Sequence, residues 1–395
     1  MQPRVESQAC LDPAFVLNLW LPGSRQRCIQ PVAARAAADL RQVLEDLASQ
    51  TDLTEERTRD SLEALLEGAQ ASTSGDVAQP GGAYFAQMAA FLVLLRAKGE
   101  TPEEIAGLAK AMKAKMRRVR TQSDVLDIVG TGGDGIGSVN ISTGACVVAA
   151  AAGAKVAKHG NRSVSSLCGS ADVIEALGIV VDMDAENVAQ CIEDVGVGFM
   201  FAPRYHPAMK AVVPVRKALK IRTAFNILGP LLNPAEASYG LIGVYSTSIS
   251  QLMASTLQRL DVRKALVVHS MGLDELTPLG DAEIVEVVPS GTRTYRIDPT
   301  KFGIPRCTVE DLKGGDATLN ATILRDVFGG QKGAVADALC LNAGVALAAC
   351  DVAKDAAEGI AMAQEAQRSG RAGQVLDKWV AFSQQTVNIR QPAPV

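Results

Sequence analysis

The sequence predicts an α/β protein in which a small N-terminal all-α domain precedes a larger domain with a mostly parallel sheet. Three observations carry that prediction. Up to about residue 121, apolar residues recur at three- and four-residue spacing, the period of amphipathic helices. After Ser123, short β-branched runs alternate with helical stretches, as in parallel strands joined by crossover helices. Between them lies Asp127-Ile-Val-Gly-Thr-Gly-Gly-Asp-Gly135, running on to Asn140-Ile-Ser-Thr143: a strand, a glycine loop and the start of a helix.

The bulk properties agree. A chain of 395 residues can hold two domains and a large core. With 48% hydrophobic but only 4% aromatic residues, that core must be built from Ala, Val, Leu and Ile. A net charge of −4 argues against bulk affinity for nucleic acid or an anionic membrane surface. The eight cysteines form no CxxC pair, and with three histidines there is no zinc-ligand spacing, so the thiols read as reduced, mostly buried hydrophobes. No run approaches the roughly 18 apolar residues of a transmembrane helix. Neither nucleic acid nor membrane is expected as a partner.

Taken in order, residues 1–36 are Arg-biased and broken by Pro3, Pro13, Pro22 and Pro31. They fit a disordered tail or an organellar transit peptide, though the latter would normally carry more serine. From Asp39 the chain turns helical. Leu40, Val43, Leu44 and Leu47 form one stripe; Thr54 opens a second helix, which Gly68 is expected to end; Phe85, Met88, Leu92 and Leu95 mark a third, stopping at Gly99. Thr101-Pro-Glu-Glu104 is a capping box opening a helix expected to reach about Arg120, whose basic end reads as a solvated face. The helical domain is therefore placed at 37–121 and the α/β domain at 122–395. Strands are expected at 125–129, 155–158, 195–201, 241–245 and 265–269. A hairpin, 284–288 with 294–297, turns at Pro289-Ser-Gly291, and helices are expected at 185–195, 248–260 and through 320–387. The amphipathic stretch 206–232 is expected to pack back onto the helical domain.

Chemistry concentrates in three places. The glycine loop strips away side chains so that backbone N–H groups can approach a ligand, and Asn140, Ser142 and Thr143 stand where the next helix opens. Unpaired N–H groups and the helix dipole both favour an anion there, so the loop is read as a phosphate site. A plain turn needs one or two glycines, not four. Lys158-His-Gly-Asn-Arg-Ser-Val-Ser-Ser166 and Cys168-Gly-Ser-Ala-Asp172 follow the next strand and should line the same crevice, since parallel sheets bind ligands at the carboxyl ends of their strands. Lys158 offers a charge for phosphate; Ser163, Ser165 and Ser166 offer neutral donors. His159 reads either as structural or as a group that stacks on or hydrogen-bonds to substrate. Third, Asp274 and Glu275 in Gly272-Leu-Asp-Glu275 follow another strand. Adjacent acids at a strand end read either as a solvated turn or as ligands for Mg²⁺.

These residues carry a resemblance. From about Asp39 to about Gln385 the chain resembles the anthranilate phosphoribosyltransferases, most closely those of plant and algal plastids. The matching motifs are GTGGDG at 130–135, NIST at 140–143, KHGNRSVSS at 158–166, GSAD at 169–172, HPAMK at 206–210, VRKALKIRTAFNILGPLLNP at 215–234, GLDELTPLG at 272–280 and GIPRCTVEDLKGGD at 303–316. The resemblance implies a helical domain hinged to an α/β domain, similar to the pyrimidine nucleoside phosphorylases and usually a homodimer through the helical part. It also implies transfer of the phosphoribosyl group of phosphoribosyl pyrophosphate to the amine of anthranilate. Gly133, Asp134, Ser138, Asn140, Ile141, Ser142, Thr143, Lys158, His159, Gly160, Asn161, Arg162, Ser163, Val164, Ser165, Ser166 and Ser170 are then implied to hold the sugar donor. Gly130, Asn161 and Arg216 would face anthranilate with His159 nearby, and Ser142, Asp274 and Glu275 would hold Mg²⁺. Ser138 replaces a threonine common in bacterial members and keeps its hydroxyl. Cys168 and the 303–316 stretch are plant-like and favour the transit-peptide reading, hence the chloroplast stroma, with the cytoplasm as the alternative. Two rivals are a nucleoside phosphorylase and a non-catalytic nucleic-acid-binding relative. The first lacks a use for HGNRSVSS with Arg216; the second should be strongly basic and lack the Asp274-Glu275 pair.

Overall fold

The computed structural model describes residues 32–74, 82–133, 135–163 and 167–388. Four helices open it: α1 (Val32–Ala48), α2 (Glu55–Ser74), α3 (Gly82–Lys98) and α4 (Pro102–Ala114). Helix α1 starts earlier than the expected onset at Asp39. The capping box forms, with the Thr101 hydroxyl accepting the Glu104 N–H and the Glu104 carboxylate accepting the Thr101 N–H. Two sequence expectations fail here. Gly68 does not end α2; a Cβ there would lie 2.1 Å from the Tyr84 ring, so the glycine serves the close approach of α3. Helix α4 stops at Ala114 rather than near Arg120. Beyond it the Arg117 and Val119 N–H groups donate to the Tyr205 and Pro234 carbonyls, which draws the chain out of the helix. The basic residues of this region pair individually, Lys110 with Glu55, Lys115 with Glu67 and Arg118 with Glu236.

The α/β portion runs β1 (Leu126–Gly130), α5 (Ile141–Ala151), β2 (Val156–Gly160), α6 (Ser170–Ala176), α7 (Ala185–Val195), β3 (Val197–Phe201), α8 (Ala202–Tyr205) and α9 (Met209–Leu219). It continues through β4 (Tyr239–Gly243), α10 (Thr247–Arg259), β5 (Lys264–Ser270), β6 (Ala282–Val288), β7 (Gly291–Ile297), α11 (Ala317–Phe328), α12 (Ala334–Ala349), α13 (Ala356–Arg368) and α14 (Arg371–Asn388). The sheet order is β3-β2-β1-β4-β5-β6-β7. The first five strands are parallel; β6 and β7 are antiparallel, and the hairpin turns at Pro289-Ser290, between the paired Val288 and Gly291.

From the central β1 the chain steps outward to β2 and β3, then crosses back to β4 on the other side. The carboxyl ends of β1 and β4 therefore flank a topological switch point, where open α/β sheets place their ligands. One core, with α5 and α11 to α14, covers one face of the sheet. A second core joins the other face, through Ile242, Val267 and Val285, to α10 and the N-terminal helices. Helix α9 belongs to this second core: Ala211, Val212 and Val215 are buried, and α9 packs on α2 and α3.

Candidate active site

The loop after β1 uses its glycines for conformation. Gly132, Gly133, Gly135 and Gly137 all have φ between +71° and +86°, a region that other residues enter only with strain. The last rung between β1 and β4 pairs Gly130 with Gly243. Asp274 lies across that rung: a Cβ on Gly243 would stand 1.6 Å from the Asp274 carbonyl, and one on Gly130 2.3 Å from Asp274 Oδ2. Two strands thus end in glycine so that Asp274, by its backbone at Gly243 and its carboxylate at Gly130, can rest on the sheet. Asp274 Oδ2 accepts the Gly132 N–H at 2.5 Å, and Glu275 Oε1 accepts the Ser142 N–H at 3.2 Å. The glycine loop, the first turn of α5 and the acidic pair are therefore one unit. Asn342, fully buried on α12, clamps the acidic loop from behind by taking the Leu276 N–H at 3.0 Å and donating to its carbonyl at 2.7 Å.

Burial, and then the charge of Asp274, push Glu275 up to about 8. Such a pair suits a hard dication. Among the described residues no group of three or more His, Cys, Asp and Glu gathers, so two carboxylates and Ser142 would need further oxygens from a ligand or water.

Lys158 ends its buried path at this unit, with Nζ 2.8 Å from the Ile128 carbonyl and 3.4 Å from Ser142 Oγ. The hydroxyls of Thr131 and Thr143 are buried beside this unit without a hydrogen-bond partner. Asn140 is committed elsewhere: its amide donates to the Cys168 carbonyl and accepts from Asn320. Ile141 contributes its side chain to the core, and Ser138 forms an isolated bridge with Lys313.

The loop after β2 is braced by its own acids. Arg162 pairs with Asp172 at 2.9 Å and with Glu175 through both terminal nitrogens at 2.6 and 2.8 Å. Asp172 also caps the Ser163 and Gly169 N–H groups. Ser170 and Asn161 exchange bonds, and Gly160 is tight against Ser170 Oγ. Asp134, Val164, Ser165 and Ser166 lie outside the described residues.

His159 and His206 face each other, ring centroids 5.0 Å apart and both at least 95% buried. His159 Nδ1 meets the Gly229 carbonyl, but its Nε2 lacks a hydrogen-bond partner, and the His206 ring lies against the Leu232 backbone. Burial holds His159 at about 3 and His206 at about 4, so both are neutral near pH 7. Arg216, on α9, is half-buried; burial lowers its pKa, and it pairs with no described acid.

Sequence reasoning missed four contributors. His206 lay inside a quoted motif without a role. Gly243 and Asn342 matter here through the Asp274 segment, which lies elsewhere in the chain. Arg222 donates to the Gly133 carbonyl at 2.7 Å and stacks 4.4 Å from the Tyr245 ring centroid, tying the crossover segment to the glycine loop.

The family model "Glycosyl transferase family, a/b domain" matches residues 122–373, and "Glycosyl transferase family, helical bundle domain" matches 41–116. Anthranilate phosphoribosyltransferase of Chlamydia felis is 51% identical over 76% of this chain and 88% of its own. That of Chloroflexus aggregans is 45% identical over 87% and 98%. The crystal structure of the Thermus thermophilus enzyme superposes with TM-score 0.79 at 42% identity, covering 87% of this chain and 99% of that one. The Saccharomyces cerevisiae enzyme in complex with PRPP and Mg gives 0.81 at 28% identity, covering 88% and 98%. With relatives at 45–51% identity over most of both chains, this chain belongs to the anthranilate phosphoribosyltransferase family.

Proposed function

We propose that the chain transfers the phosphoribosyl group of phosphoribosyl pyrophosphate to the amine of anthranilate and releases pyrophosphate, a step of tryptophan biosynthesis. The observation that carries this reading is the single unit made by the glycine loop, the start of α5, Lys158 and the Asp274-Glu275 pair at the strand ends. It offers N–H donors, a buried amine and a cation site to one polyanion.

The residues follow the chemistry. Breaking the bond to pyrophosphate develops negative charge on the leaving oxygen and positive charge at the ribosyl carbon. Preorganised donors aimed at the developing anion contribute on the order of 3–4 kcal/mol each. The loop from Gly130, the N–H groups opening α5, the hydroxyls of Thr131 and Thr143, and Lys158 hold the phosphates. Asn161, Ser163 and Ser170 bind the ribose end of the donor from the braced loop after β2. Asp274, Glu275 and Ser142 hold Mg²⁺, which when bound supplies positive charge to the pyrophosphate. Arg216 forks onto the anthranilate carboxylate and orients the amine towards the ribosyl carbon. The amine is already a nucleophile. The neutral His159 and His206 therefore serve as hydrogen-bonding and packing groups beside it, not as strong bases.

The proposal extends to a homodimer through the helical domain and to a plastid location. The second rests on the Arg-biased, proline-broken residues 1–36, read as a transit peptide ahead of domains at 37–121 and 122–395; residues 1–31 lie outside the described residues. The direct test is anthranilate fluorescence with purified protein, phosphoribosyl pyrophosphate and Mg²⁺. Consumption of fluorescence that requires all three supports the reading. Phosphate-dependent cleavage of a nucleoside in its place would overturn it.

A further inference from the structure

Regular pairing of β1 with β2 covers a single residue pair, Leu126 with Val156, whereas β1 with β4 and β2 with β3 each run to five pairs. Beyond that pair, three side chains reach the backbone groups of the two strands. Asn233 Nδ2 donates to the Ala157 carbonyl at 2.8 Å and to Asp127 Oδ2 at 2.6 Å. Asp127 Oδ1 lies 3.4 Å from the His159 backbone nitrogen, which donates to it. Lys158 Nζ donates to the Ile128 carbonyl. Asp127, Lys158 and Asn233 are 3%, 2% and 5% exposed.

We infer that Asp127 and Asn233 are positioning residues for the reaction: they hold β2 apart from β1 so that Lys158 reaches the phosphate loop between the strands. This rests on the function proposed above. In an unbroken parallel ladder, evenly spaced backbone bonds would close this gap and the Ile128 carbonyl would have a backbone donor. Here Lys158 occupies that place and its amine is carried on to Ser142 Oγ. The Lys158 charge in turn favours the ionised form of Asp127, against its burial. A purely structural residue at the centre of a buried strand would be Val or Ile. An acid there is costly, and burial, the largest influence, pushes its pKa up to about 6. Packing does not explain it either, because Asp127 and Asn233 border a cavity of about 220 Å³ shared with Leu231, Ile242 and Leu257.

The test is steady-state kinetics of both substrates, with calorimetric binding of phosphoribosyl pyrophosphate and thermal melting alongside. Asp127→Asn should raise the KM and the dissociation constant of the sugar donor about tenfold or more, while the anthranilate KM moves less than about threefold. Asp127→Glu should recover part of the donor affinity, since the cavity accepts one more methylene. Asn233→Asp cannot donate to the Ala157 carbonyl and opposes Asp127, so it should show the same selective loss should Asp127→Asn fail to fold. Equal weakening of both substrates in step with the melting temperature, or unchanged donor binding, overturns the inference. A wild-type protein that binds the donor without consuming anthranilate defeats the proposed function and leaves the binding arm of this test intact.

Discussion

Arg216 and the acidic pair make opposite demands on their surroundings, and both can be tested by removing charge. A half-buried guanidinium with no described acid beside it is held ready for an anion from outside the chain. Arg216→Ala should raise the anthranilate KM by the equivalent of roughly 2–3 kcal/mol with a far smaller change for the sugar donor, as kinetics with each substrate varied will check. Equal losses would make Arg216 a residue of the fold. The double change Asp274→Asn with Glu275→Gln keeps shape while removing the Asp274 charge and the ionisable carboxyl that burial and Asp274 hold at about 8, so thermal melting should stay near wild type. The kcat should collapse and its Mg²⁺ dependence weaken; a near wild-type kcat would leave the pair as a solvated turn. Much of this was legible in the sequence, because glycines, hydroxyls and charges cluster locally at 130–143 and 158–172. Gly243 was not legible. Its reason is a carbonyl of Asp274, and nothing in Leu-Ile-Gly-Val-Tyr records what lies above it.

At the scale of the element, the opening of α4 shows how a local signal acquires a distant use. The Thr101-to-Glu104 box could be read from spacing alone, but the structure adds that fully buried Glu104 also accepts the Leu53 N–H and pairs with Lys98 at 3.0 Å. One carboxylate fastens the start of α4 to the approach of α2 and the end of α3. Glu104→Ala should therefore destabilise the protein by roughly 3 kcal/mol, more than a cap alone, as measured by denaturant unfolding. A loss below about 1 kcal/mol would mean that Asp52, the other acidic partner of Lys98, holds the junction by itself. Strand and helix types followed from periodicity, whereas ends went astray where a partner decided them, as Tyr84 does for Gly68 and as Tyr205 and Pro234 do for the end of α4.

For the molecule as a whole, two buried histidines at the junction of its parts link stability to pH. Both are held neutral, His159 at about 3 and His206 at about 4 against an ordinary 6.5, so the unfolded chain binds their protons more readily. Stability should fall as pH drops from 6.5 towards 4, and His206→Gln should flatten that slope in urea melts taken across the range. Asp127, raised from 3.8 to about 6 by burial, works in the opposite sense, losing its contribution as pH rises through that window. An unchanged slope in His206→Gln would place the compensation in other groups.

The crossover that carries α9 from β3 back to α2 and α3 also sets an order of events during synthesis. The first four helices leave the ribosome without the segment that completes their core. Between Ala114 and Leu219 about a hundred residues must still be added, roughly 5–20 s at ordinary elongation rates. During that interval the faces of α2 and α3 that will receive Val212 and Val215 have no cover from their own chain. The N-terminal region therefore finishes folding late despite being made first, and chaperone engagement should concentrate on nascent chains of that intermediate length.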